Sequence, residues 1–270
     1  MAASKLTENV THEILALLAG APEVGNLEKA LRLMCKWRAQ LLLNTLKAKE
    51  DHARVLSGPF KGMEYNVAST EGSGVARLIG CYEVSLNPII EDIIARSYPN
   101  VIDIGCAEGY YAVGLALRMP DAVIRAYDTN EKAQLACAQL AKQNGVAERI
   151  SIGGTFEHSD FDLCLSEPTL VLCDIEGAEE ALLDPLKAQG LKAADILVEV
   201  HDCFNDGLSE EIAARFKTSH SVAKINRDVD MSALPDWMET LSDMDRLMAL
   251  WEWRIGPTTW LWMQARDRIL

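Results

Sequence analysis

Apolar positions follow two regimes along this chain. From about Thr11 to Glu50 they recur at helical spacing. Ile14, Leu15, Leu17 and Leu18 predict a short helix ending near Gly20-Ala21-Pro22, and Leu27, Leu31, Met34, Leu42 and Leu46 mark one face of a longer helix interrupted by Arg38. After an irregular, glycine-rich stretch from Arg54 to Gly80, short apolar runs alternate with amphipathic segments. GPFKGMEY suggests a turn into a strand or hairpin, and Ala68 to Gly74 reads as a loop. The pattern then predicts a helix over Val84 to Arg96, strand Val101 to Ile104, helix Tyr111 to Met119, strand Val123 to Tyr127 and helix Glu131 to Asn144. Strands Arg149 to Ile152 and Leu170 to Cys173, helix Ala178 to Gln189, strand Ile196 to Val200 and helix Leu208 to Phe216 continue the rhythm. Strands near Val222 to Asn226 and over Thr259 to Gln264 close it.

Such alternation implies right-handed crossovers, a doubly wound α/β sheet with helices on both faces, and a ligand crevice beyond the carboxyl ends of the strands where strand order reverses. Residues 1–55 are expected to form a helical extension, acting as a cap or a dimerisation surface, and residues 56–270 the sheet domain.

The stretch Val101 to Arg118, VIDIGCAEGYYAVGLALR, predicts a strand, a tight turn and a helix. Gly105 permits the sharp turn, and Gly109 permits close approach of backbone to a ligand or to the strand. A dinucleotide fold places a pyrophosphate on the helix N-terminus through G-x-G-x-x-G. Here the middle glycine is missing and Glu108 puts a carboxylate beside the turn, which repels a pyrophosphate but suits a cationic cofactor. Asp128, at the end of the next strand, can accept from both hydroxyls of a ribose and fits either cofactor.

With an acid following the next strand, D-x-G-x-x-x-G resembles the class I S-adenosylmethionine-dependent methyltransferases. Three further stretches resemble their FkbM-type branch: Gly80-Cys81-Tyr82-Glu83 (G-x-Y-E), Asp174-Ile175-Glu176-Gly177-Ala178-Glu179 (D-x-E-G-x-E) and Glu199-Val200-His201 (E-x-H). The likeness covers roughly Gly80 to Asp202. The branch usually has Ala-Asn after the first glycine and Glu-Pro at the ribose acid, where this chain has Cys106-Ala107 and Asp128-Thr129. The resemblance implies a Rossmann-like, mostly parallel seven-stranded sheet closing in an antiparallel pair. It also implies a cofactor site at Tyr82, Glu83, Asp103, Gly105, Cys106, Ala107, Gly109, Asp128, Thr129, Thr155, Phe156 and Asp174, with Asp103 taking the cofactor ammonium or else fixing the turn. Glu108 and Glu157 are further candidates, the latter for the adenine amino group.

Composition narrows the acceptor. A formal net charge of -14 argues against a broad phosphate-gripping face, and Cys173-Asp174-Ile175-Glu176 is not the N-P-P-Y or D-P-P-Y of nucleobase amine methylases. The expectation is therefore a small-molecule acceptor and no nucleic acid. Seven scattered cysteines without a C-x-x-C fit a reduced, cytoplasmic protein. No apolar run approaches the ~18 residues of a membrane span.

The fourth and fifth strands end in Asp174 and Glu176, and in Glu199, His201 and Asp202. His201 is the candidate general base for a hydroxyl acceptor, since an imidazole exchanges a proton near neutral pH, with Asp174 and Glu176 as catalytic companions. The same group could instead hold a divalent metal that acidifies the acceptor. Trp237, Trp251, Trp253 and Trp260 either wall an acceptor pocket or fill core. A nicotinamide-dependent oxidoreductase and a non-catalytic S-adenosylmethionine-binding subunit are the competing readings.

Overall fold

Three strands carry the sheet. In the computed structural model, which describes residues 4–50, 53–69 and 73–267, β1 (Asn100–Ile104), β4 (Thr169–Cys173) and β5 (Asp195–Val200) are buried at every position. A strand covered on both faces needs a mostly apolar run, and these sequences supply one, with Asp103, Asp195 and Glu199 as buried charged exceptions. β2 (Val123–Tyr127) and β3 (Ile150–Gly153) lie toward the edge and show exposed positions. The order is β3-β2-β1-β4-β5-β7-β6. β7 (Thr259–Ala265) runs antiparallel to both β5 and β6 (His220–Ile225), and the other pairs are parallel. This is the seven-stranded, mostly parallel, Rossmann-like sheet with a closing antiparallel pair that the sequence resemblance implies.

Register places the functional ends side by side. Ile104 pairs with Tyr127 on one side and with Cys173 on the other, so the residues that follow, Gly105, Asp128 and Asp174, leave the sheet at one level. Strand order reverses between β1 and β4, and the crevice opens there. Alternate residues of β1 feed separate apolar layers: Val101 packs with Val113, Leu115 and Ile124, whereas Ile102 packs with Val171, Phe161 and Ile196.

Helices α4 (Asn87–Arg96), α5 (Tyr110–Arg118), α6 (Glu131–Gln143) and α8 (Leu208–Phe216) flank the sheet close to their sequence expectations. The segment before α4 departs from expectation: Val84–Leu86 is a tight single turn, and Pro88 in the first helical turn marks the true start. The expected helix Ala178 to Gln189 contracts to α7 (Glu179–Leu182). Pro185 disfavours helical backbone at Asp184, whose Oδ1 instead accepts from Leu186 N at 2.9 Å. Of the expected hairpin near GPFKGMEY only the bridge Arg54–Glu64 forms. The loop expected over Ala68 to Gly74 lies partly outside the described residues, and Gly74 itself opens α3 (Gly74–Ile79).

The first helix, α1 (Lys5–Leu18), starts well before the expected point. The apolar stripe of α2 (Val24–Lys49) is divided. Leu42 and Leu46 are buried in the core, whereas Leu27, Leu31 and Met34 are exposed. Arg38, at the boundary, makes two 2.6 Å hydrogen bonds to Asp245 of α9 (Asp243–Leu250) and ties the N-terminal helices to the C-terminal segment. Truncating Leu46 to Ala is expected to cost ~2–5 kcal/mol in urea denaturation, and Leu31→Ala less than about 0.5 kcal/mol.

Candidate active site

Gly105 turns the chain at φ +83°, and a Cβ there would lie 1.6 Å from the Asp174 carbonyl oxygen, so only glycine lets the β1 exit cross the β4 exit. Ala107 N and Asn130 N donate to the two oxygens of Asp128 at 2.9 and 2.8 Å, locking the carboxylate over the bend. A Cβ at Gly109 would meet Cys137 Sγ of α6 at 2.7 Å, so this glycine also lets α6 pack against the turn.

Two cavities flank the bend and share Gly105, Asp174 and Glu176 in their walls. One, of about 480 Å³, is lined by Asp128, Thr129, Thr155 and Phe156, with Glu157 at its margin. The Phe156 ring stands edge-on to Tyr127 at 4.9 Å, making an apolar wall for a flat ring. The other, of about 200 Å³, holds Tyr82, Asp103, Cys106, Ala107, His201 and Trp253.

The smaller cavity is crowded with carboxylates. Asp103 is 1% exposed, and among the described residues neither of its oxygens accepts a well-formed hydrogen bond, the Ala112 N–H acting on it only weakly. Burial, reinforced by Asp174 and Asp128, pushes its carboxyl up to about 7. Burial and the neighbouring Glu83 push Asp174 up to about 7 as well, and the same two causes act on Glu252, also up to about 7. A buried carboxylate beside the bend without a well-formed hydrogen bond suits the ammonium of S-adenosylmethionine, and the apolar wall suits its adenine. These residues fit that cofactor.

Cations already present are fully committed. Arg77 is paired with Glu108 at 2.8 Å, and Glu108 also accepts from the Tyr65 hydroxyl, so the Glu108 expected near the cofactor is tied into the core. Arg254 binds Glu83 and Glu199, reaches Glu252 at 2.9 Å, and donates to Thr258 Oγ1 at 2.6 Å. Glu83 directs its oxygens at Arg254 and the Tyr111 hydroxyl. Tyr82 lines the cavity with its ring under the Arg77 guanidinium at 4.2 Å.

His201 sits at the end of β5 with Nδ1 2.9 Å from Glu179 Oε1, while Nε2 lies 3.7 Å from Asp174, 3.8 Å from Glu176 and 3.7 Å from Glu199. Burial pulls its pKa down, but the Glu179 hydrogen bond and the charges of Asp174, Glu179 and Glu176 prevail and raise it. Asp202 is not part of this group; it accepts from Ser209 N at 2.9 Å and caps α8. Among the described residues, donor atoms of Asp174, Glu179 and His201 come within 4.8 Å of one another and offer a divalent cation a mixed N/O set.

The tryptophans divide in role. Trp260 is core, at 2% exposure. Trp253 walls the smaller cavity and is capped by Lys36 of α2 at 4.7 Å, while Arg32 covers Trp251 at 5.7 Å. Residues 251–258 are thus clamped over the crevice by α2 from outside and by Arg254 from within. Arg254, Glu252, Arg77 and Glu179 escaped the sequence reading. Glu179 stands inside the D-x-E-G-x-E stretch and was findable there, whereas no spacing announces an arginine that pairs with two distant acids, Glu83 and Glu199, as well as the neighbouring Glu252.

No family model matches the chain. Ribosomal RNA large subunit methyltransferase G of Photobacterium profundum is 32% identical over 122 residues, covering 43% of this chain and 32% of that protein. The chain thus spans about a third of that relative's length. Solved structures with a similar fold include a putative rRNA-methylase from Clostridium thermocellum, with TM-score 0.45, 13% identity and coverage of 68% and 97% of the two chains. A putative O-methyltransferase from Klebsiella pneumoniae gives TM-score 0.43 and 10% identity, with coverage of 68% and 79%. The ribosomal RNA relative overturns the expectation that nucleic acid is excluded. Net charge sums the whole surface and does not report on one face. No described helix is long and apolar enough to cross a membrane.

The raised acids set a pH dependence of stability. Asp103 keeps its proton in the folded state up to about pH 7 and loses it near 4 when unfolded, so the folded state binds more protons in that window and stability falls as pH rises through it. Asp174, Glu252 and the elevated His201 act in the same direction. Denaturation is expected to show lower stability at pH 8 than at pH 5.5, with Asp103→Asn shrinking the difference by about 1–3 kcal/mol. An unchanged slope in that variant would contradict the buried-acid assignment.

Proposed function

We propose that this chain is an S-adenosylmethionine-dependent methyltransferase acting on a hydroxyl. The observation that carries the reading is Asp103, a buried carboxylate without a well-formed hydrogen bond among the described residues, which lines the smaller, acidic cavity close to Gly105, where that cavity meets the apolar-walled one. A protonated amine satisfies it; a pyrophosphate does not. Asp103 would hold the amino end of the cofactor, Asp128 the ribose, and Phe156 with Thr155 the adenine. The bound cofactor supplies a methyl group on a sulfonium leaving group.

The chain's own tasks are to position the acceptor, exclude water and take up its proton. Trp253 and Tyr82 close the smaller cavity, and His201 presents Nε2 to it as the general base. Asp174 and Glu176 surround that nitrogen and stabilise the imidazolium that forms. The G-x-Y-E, D-x-E-G-x-E and E-x-H stretches support the FkbM-type branch, and residues 1–55 serve as a helical cap. The free thiols, most of them buried, fit a reducing cytoplasm. The hydroxyl can belong to a metabolite or to a ribose of RNA, and the relative's name supports testing RNA.

Calorimetry with S-adenosylhomocysteine and, separately, NAD tests the cofactor, and methyl transfer to hydroxyl metabolites and ribosomal RNA fragments tests the acceptor. S-adenosylhomocysteine is expected to bind and NAD is not; the reverse would overturn the reading. His201→Asn should leave cofactor binding within about twofold and lower turnover by ~10²–10⁴. Turnover abolished by a chelator would replace the imidazole base with a metal-activated hydroxyl.

A further inference from the structure

We propose that Glu179 is a positioning residue: it holds His201 with the proton on Nδ1, so that the unprotonated Nε2 faces the smaller cavity. This rests on the methyl-transfer reading above for its consequence, though not for its geometry.

Glu179 is fully buried, which an acid tolerates only with strong partners. Its Oε1 lies 2.9 Å from His201 Nδ1 and 3.2 Å from both Ile175 N and Gly177 N. A carboxylate accepts and does not donate, so the imidazole must place a proton on the nitrogen facing it. The two backbone N–H groups fix the carboxylate in turn. They belong to a segment that bends sharply, with Glu176 at φ +55° and Gly177 at φ +102°. The ring itself is pinned by Phe204, stacked at 5.6 Å and 13°. Glu179 is held on one side by backbone and on the other by imidazole, and His201 is left a single orientation.

The opposite edge of the ring meets Asp174 and Glu176 from the end of β4 and Glu199 from β5, with no hydrogen bond to Nε2 from any of them. That nitrogen is the one available to an acceptor. Glu179 itself lines neither cavity and reaches the smaller one by way of His201. In the metal-free reaction it acts through His201, as the carboxylate partner of a base acts in other acyl- or proton-transfer sites. Burial works against the charged form of Glu179, but the hydrogen bond and charge of His201 outweigh it and lower the carboxyl pKa, so Glu179 stays ionised at neutral pH.

The test uses nitrogen-15 labelled full-length protein, with the His201→Asn variant identifying the His201 signals among the five histidines. Multiple-bond proton–nitrogen spectra, recorded across a pH titration and read above the His201 midpoint, are expected to show the Nδ1–H tautomer in the wild type. Glu179→Gln keeps an acceptor oxygen but removes the charge; it should move the His201 titration midpoint and the acidic limb of the rate profile to lower pH. Glu179→Leu should mix the tautomers and reduce kcat ~10–10²-fold with little change in KM. An Nε2–H tautomer in the wild type, or an unmoved midpoint in a folded Glu179→Gln, overturns the proposal. The wild-type spectrum decides even if both variants fail to fold. Absence of S-adenosylhomocysteine binding in the same samples would fail the functional reading while leaving the tautomer result standing.

Discussion

Too many carboxylates share the carboxyl edge of this sheet, and the surrounding structure answers to that excess. Glu83, Glu199 and Glu252 are tolerated because one guanidinium, Arg254, reaches all three. Glu108 is tolerated because Arg77 is buried against it. Asp103 and Asp174 receive no such partner, and their answer is to keep their protons near neutrality. A site so built favours a cation over a neutral ligand and either over a phosphate. The same excess explains why the C-terminal segment 251–258 lies where it does: Arg254 carries it into the crevice, and the cations of α2 hold its tryptophans from outside.

Backbone geometry and electrostatics are coupled at the bend. Gly105 lets β1 cross β4 at a distance no side chain permits, which brings Asp174 beside Asp103 and adds its charge to the burial that raises the Asp103 pKa. Asp128 is held over the same turn by Ala107 and Asn130 amides, so three acids from three strands are fixed before any ligand arrives. Preorganised charge of this kind is worth more to a charged ligand than charge that must be gathered on binding.

The central strands were legible in the sequence because burial on both faces calls for a mostly apolar run, as in TLVLC. The bend and its acids were legible for a related reason: glycine spacing and a strand-end acid are local signals. The expected helix from Ala178 was not interrupted in the reading at Pro185, although a proline carries that information. Leu27 and Leu31 look identical to Leu42 and Leu46 in periodicity, and only the tertiary fold tells which half of α2 meets α9. Arg254 was invisible for the same cause, since the acids it neutralises lie as far as 171 residues away. The nucleic-acid exclusion failed because a whole-chain charge was made to speak for one surface.

The central claim is that Asp103 and its neighbours hold protons which the cofactor's ammonium displaces. Calorimetry of S-adenosylhomocysteine binding at pH 6.5, run in buffers of different ionisation heat, measures that directly. The account predicts a net release of protons on binding, reduced in Asp103→Asn; binding with no proton release, or with uptake, would contradict it.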